Sequence, residues 1–204
     1  MFWTKKNFDV YGEQGGISTC ITLPEGFDTA SDRCPMVILM HGFMANKKFH
    51  PIPTLAKALA KAGIASISFD FNAHGKSEGK FIDMTIANEI SDAKAVFEYV
   101  KTLPYVSQIG FAGHSQGGVI AGMLAGELED DPRKPSCMVL LAPAAVLKDD
   151  AIAGQCMDRI LGQIVIPTFP RLHLLHDPAS LSGIFQGQLI LVFPLRIPRF
   201  SAKE

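Results

Sequence analysis

Residues Gly113-His114-Ser115-Gln116-Gly117 stand between two apolar runs, residues 107–112 and 119–128. An apolar run followed by a glycine-flanked serine and a helical stretch predicts a buried strand, a sharp turn and a helix. A serine on such a turn is held in strained backbone geometry with its hydroxyl exposed at the edge of the sheet. The glycines two positions to either side leave room for close approach of neighbouring chain. This placement makes Ser115 a candidate nucleophile.

The surrounding sequence repeats the alternation of strand and helix. Residues 17–23 read as an early strand and residues 24–35 as a polar turn region. Residues 36–40 form a continuous apolar run that ends at His41-Gly42, as expected of a parallel strand buried on both faces. A helix is predicted over 54–62, with Leu55, Ala58, Leu59 and Ala62 on one face and Gly63 at its C-terminal cap. Residues 64–69 form the next strand, closed by Asp70. A longer helix is predicted from Asp83 as N-cap, with Ile86, Ile90, Ala93, Phe97 and Val100 as its apolar stripe and Pro104 at its end. Strands at 107–112 and 138–141 enclose a helix over 115–128. This rhythm implies an α/β fold, a mostly parallel sheet with helices on both faces.

Net charge is −1, so nothing suggests a nucleic-acid or anionic-membrane partner. No apolar run approaches the roughly 20 residues needed to span a bilayer. The first residues carry no apolar signal segment, and Cys20, Cys34, Cys137 and Cys156 show no metal-ligand spacing and no CxxC. The simplest reading is four free thiols in a reducing cytoplasm, with no metal and no cofactor.

Composition changes near Asp158. Residues 1–158 hold 18 acids, 12 lysines and 2 arginines, whereas residues 159–204 hold 2 acids, 1 lysine and 4 arginines. Pro167, Pro170, Pro178, Pro194 and Pro198 exclude a long helix from this tail. The chain therefore divides into a core, residues 1–150, and a divergent proline- and arginine-rich tail, residues 151–204. The tail reads either as a small cap or as a segment translated in a shifted frame. The swap from lysine to arginine, with acids nearly gone, favours the second.

Ester hydrolysis by a serine needs a base, an acid that orients the base, and donors for the oxyanion. The backbone N–H of Gln116 opens the helix after Ser115, where the dipole favours an anion. The loop after the early strand, His41-Gly42-Phe43, supplies a second candidate in the Phe43 N–H. His41 and His74, in polar loops after strands, are read as loop-shaping, and His114 as structural.

Together His41-Gly42-Phe43, residues 70–77 and Gly113-His114-Ser115-Gln116-Gly117-Gly118 resemble the α/β-hydrolase superfamily. More narrowly, the sequence resembles bacterial cinnamoyl (feruloyl) esterases. The resemblance is carried by Phe69-Asp70-Phe71-Asn72, His74-Gly75, Ser77, Gly79-Lys80-Phe81, Leu140-Leu141-Ala142-Pro143-Ala144-Ala145 and Leu147-Lys148. It covers residues 10–150. Ala73 departs from it, standing where the family usually has glycine, and some loop strain is expected there.

The resemblance implies a serine carboxylesterase that forms an acyl-serine intermediate on hydroxycinnamoyl or similar small aromatic esters. It also implies a lid and two later strands that deliver an aspartate and then a histidine. The segment after residue 150 does not resemble those parts, so the sheet is expected to be incomplete at its C-terminal end. The order serine, acid, histidine is filled here only by Asp149, Asp150 or Asp158 as acid with His173 or His176 as base. A hydrolase homologue without a competent triad is the alternative, and a thioesterase or acyltransferase using the same serine is a second. The expected partner is a small-molecule ester, and a homodimer stays open.

Overall fold

The computed structural model describes residues 5–144 and 190–194. Seven strands form one sheet: β1 (Lys5–Gly12), β2 (Gly15–Thr22), β3 (Cys34–Met40), β4 (Ala65–Phe69), β5 (Val106–His114), β6 (Cys137–Leu141) and β7 (Ile190–Pro194). Their spatial order is β1-β2-β4-β3-β5-β6-β7. The centre, β4-β3-β5-β6, is parallel, while β1, β2 and β7 join it through antiparallel pairings. The expected α/β architecture is thus present, with an added N-terminal strand β1 that buries only Phe8 and Val10 against the core.

Alternation along β3 divides the core into two layers. Met36, Ile38 and Met40 face helices α2 (Ile86–Lys101) and α3 (Gln116–Glu127), together with Ile67, Phe69 and Phe111. Leu39 and Ala112 face helix α1 (Ile52–Lys61) on the other side. Side chains of successive strand residues point to opposite faces, which is why one strand serves both layers. The continuous apolar run at residues 36–40 results from this double burial.

Two helix assignments need correction. On α1 the buried face is Ile52, Ala56 and Ala60, while Leu55 and Leu59 flank it and Ala62 is exposed. Small alanines permit close approach of the helix to the sheet, and the larger leucines close the sides. The N-cap of α2 is Thr85, whose hydroxyl accepts the Asn88 N–H at 3.1 Å, and Asp83 ends a short 3₁₀ turn instead. The stripe Ile86, Ile90, Ala93, Phe97 and Val100 is fully buried as expected. Gly63 follows α1 with φ +77, the left-handed conformation that ends helices. No helix among the described residues is long and apolar enough to cross a membrane.

Candidate active site

Ser115 lies between β5 and α3 with φ 54 and ψ −120, a backbone conformation costly for a residue bearing a Cβ. The surroundings hold it there. Its N–H donates to the Leu141 carbonyl at 3.0 Å, and its own carbonyl accepts from Gly118 at 3.0 Å and Ala144 at 3.1 Å. The flanking glycines are required by contact: a Cβ on Gly113 would sit 2.1 Å from the Gly117 carbonyl oxygen. One on Gly117 would sit 2.4 Å from the carbonyl oxygens of Met40 and His41. The turn is therefore wedged against the end of β3, and Ser115 itself remains half-buried.

The loop after β3 packs on this turn. A Cβ on Gly42 would lie 3.1 Å from the Ser115 Cβ, so the Gly42 backbone packs directly on the serine. His41 is buried beneath the loop. Its Nε2 accepts the Phe71 N–H at 3.0 Å, so Nδ1 carries the proton and donates to the Gly42 carbonyl at 2.8 Å. Burial is the main cause that pushes its pKa down to about 4, so the ring is neutral. His74 is buried too; its Nδ1 donates to the Asn72 carbonyl at 2.9 Å, and its ring packs against those of His41 and Phe81. Both rings are bound to backbone groups of the loops around them. His114 is half-buried, with its pKa lowered by burial first and by His50 second.

A buried ion pair ties these loops together. Asp70 accepts from Lys47 Nζ at 2.6 Å, from the Lys47 N–H at 2.7 Å and from the Lys76 N–H at 2.9 Å. Ala73 lies in the same loop with φ 62, so the residue that replaces the family glycine does adopt a left-handed conformation.

Two further acids were not expected at the site. Glu89 and Asp92 are each 1% exposed on the inner face of α2. Glu89 accepts from the Gln116 side-chain amide, and Asp92 accepts the Asn72 N–H at 2.6 Å. Burial pushes Glu89 up to about 8 and Asp92 up to about 6. A signal was present in the sequence: positions 89, 93, 96 and 100 fall on the same helical stripe as Ile86.

Among the described residues, no side chain hydrogen-bonds the Ser115 hydroxyl, and none of the His, Cys, Asp and Glu side chains form a cluster of three or more suited to a metal. Asp149, Asp150, Asp158, His173 and His176 lie outside the described residues. Strand β7 pairs Ile190 with Leu141 and Pro194 with Cys137. Its first residue, not its last, is therefore at the Ser115 end of the sheet.

Comparison with known proteins adds context. The sequence model of the serine aminopeptidase S33 family matches residues 31–188. Over 105 residues the chain is 30% identical to an uncharacterized 31.7 kDa protein from the traX-finO intergenic region of Escherichia coli, covering 50% of this chain and 35% of that one. The structure of Est1E from Butyrivibrio proteoclasticus with ferulic acid bound is similar at a TM-score of 0.66 and 27% identity, covering 85% of this chain and 61% of Est1E. Esterase Pf2001 of Pyrococcus furiosus is similar at a TM-score of 0.61 and 27% identity, covering 75% of this chain and 54% of that one. The chain thus spans about a third of its Escherichia coli relative and about three fifths of Est1E.

Proposed function

Because the chain belongs to the serine aminopeptidase S33 family of α/β hydrolases, we propose that it is a serine carboxylic-ester hydrolase. Ser115 Oγ attacks the ester carbonyl carbon while a histidine takes the hydroxyl proton. The N–H groups of Phe43 and Gln116 hold the oxyanion of the tetrahedral intermediate. Collapse expels the alcohol, which takes the proton from the histidine, and leaves an acyl-serine that water then hydrolyses. The histidine is assigned to His176 or His173, oriented by Asp150 or Asp158. The observation that carries the proposal is the strained Ser115 backbone, with Gly42 packed against it.

The acyl group is proposed to be hydroxycinnamoyl or a similar small aromatic. Phe43 and Phe81 lie with ring centroids 5.9 Å apart, and Met44, Phe81 and Ile82 are exposed beside them. Such an apolar rim suits a flat aromatic acid, and the ferulic acid complex of Est1E supports the same class. The test compares methyl ferulate, a p-nitrophenyl ester and an aminoacyl p-nitroanilide as substrates for the wild type and Ser115→Ala. Ester turnover that vanishes in the variant supports the proposal, and exclusive cleavage of the anilide would replace it with a peptidase. Comparing water with an alcohol acceptor, and an ester with a thioester, separates the transferase and thioesterase readings.

The composition change after Asp158 favours a second reading, a homologue without a competent triad, its tail translated in a shifted frame. This reading predicts a correctly mounted Ser115 that keeps some rate from the oxyanion site but turns over several orders of magnitude more slowly than a complete triad.

A further inference from the structure

The turn around Ser115 has a support on its buried side that the hydrolytic steps leave unused. The Gln116 side chain is 7% exposed, and its Nε2 donates to Oε2 of Glu89 in the first turn of α2. Three residues further on, Asp92 holds the Asn72 N–H, in the loop that carries His74. One helix face therefore holds both the start of α3 and the loop that carries His74. A buried carboxyl costs several kcal/mol more than an apolar side chain at the same place unless its bonds repay it. Its position between α2 and α3 needs a reason.

We propose that Glu89 is a positioning residue for the oxyanion site, holding the Gln116 amide so that the first peptide of α3 keeps its N–H turned toward Ser115. The inference rests on the reading of Ser115 as nucleophile.

The electrostatics sharpen what Glu89 does. Burial raises its pKa most; the Gln116 hydrogen bond opposes, and Asp92 adds a further upward push. Asp92 is itself raised by burial, with Glu13 of the β1–β2 turn contributing, and α3 meets Glu89 with the uncharged Gln116. At neutral pH the Glu89 carboxyl is uncharged, and its carbonyl oxygen accepts from the amide. Above about pH 8 it becomes a carboxylate behind the helix N-terminus, where the developing oxyanion needs positive potential. A unit charge set back by one side chain, at an effective dielectric near 20, slows the step by roughly tenfold.

The experiment measures the rate at which a fluorophosphonate labels Ser115, together with the thermal midpoint, in the wild type, Glu89→Gln and Glu89→Ala across a pH series spanning 8. The ratio of wild-type to Glu89→Gln labelling rates should fall about tenfold through the transition, with the same sign in every buffer. Glu89→Ala, confirmed as folded by its cooperative melt, should label more slowly than wild type below pH 8, where Glu89 is uncharged. A flat ratio, or an alanine variant that labels at the wild-type rate below pH 8, overturns the proposal. A folded wild type that is never labelled instead removes the nucleophile reading. The midpoints then judge Glu89 separately: a wild-type midpoint that drops relative to Glu89→Gln as pH rises supports a bound, uncharged carboxyl, and parallel curves overturn it.

Discussion

Replacing Lys47 with methionine tests how the loop beside Ser115 is held. Lys47 and Asp70 side chains are 5% and 3% exposed. Lys47 Nζ is bonded to Asp70 at 2.6 Å and to the Ser18 hydroxyl and carbonyl at 2.9 and 3.2 Å. Methionine keeps the length and bulk of the stem but leaves the Asp70 carboxylate buried with only its backbone donors. Removing one partner of a buried pair costs about 3–5 kcal/mol, because the cost is that of the abandoned charge. Against a total stability of about 5–15 kcal/mol this is a large fraction. For a domain of this size it lowers the melting midpoint by roughly 6–20 °C.

Asp70→Asn should cost a similar amount, since it strands the lysine. The double variant should cost clearly less than the two added together, with a coupling of about 2 kcal/mol or more. Urea denaturation of the four proteins measures all three quantities. High salt should leave the coupling nearly unchanged, because a buried pair is poorly screened. Single variants within about 1 kcal/mol of wild type, with additive effects, would refute the reasoning.

Three further perturbations have definite signs. Ala73→Gly relieves a left-handed residue at φ 62, a gain of about 1–2 kcal/mol, offset by about 0.4–1 kcal/mol of added unfolded-chain entropy. The variant should melt slightly higher, and a lower midpoint would contradict the strain assignment. Gly117→Ala forces a Cβ to 2.4 Å from two carbonyl oxygens, so it should cost more than about 2 kcal/mol and abolish labelling of Ser115. Asp92 binds its proton more tightly folded than unfolded, with a pKa raised from 3.8 to about 6. Its contribution to stability is therefore full below pH 3.8 and is lost as pH rises through about 6. Denaturation at a series of pH values should show this decline in the wild type and a flatter profile in Asp92→Asn.

The central sheet and the turn at Ser115 were legible in the sequence because parallel strands buried on both faces leave unbroken apolar runs. The stripe on α2 was legible because packing demands a 3.6-residue period. Strand β1 is hard to read from sequence because only Phe8 and Val10 face the core, while Lys5, Lys6 and Tyr11 are exposed. The face of α1 was misjudged because alanine, not leucine, makes its closest approach to the sheet. The burial of Glu89 and Asp92 is not legible from residue type, because acidic side chains on helices usually face water, even though position 89 falls on the stripe of Ile86. The Lys47–Asp70 pair joins residues 23 apart through tertiary contact, and no local pattern announces it. The proposed acid, Asp150 or Asp158, and base, His173 or His176, lie outside the described residues.

Trapping the acyl-enzyme is the direct test of Ser115 as the nucleophile. The protein is mixed with a p-nitrophenyl hydroxycinnamate, quenched in acid and digested, and the peptide containing Ser115 is weighed by mass spectrometry. The wild-type peptide should carry the mass of one acyl group and the Ser115→Ala peptide none, with p-nitrophenol release from the variant falling to background. Ester hydrolysis that persists in Ser115→Ala, or an acyl group found on another residue, would contradict the assignment.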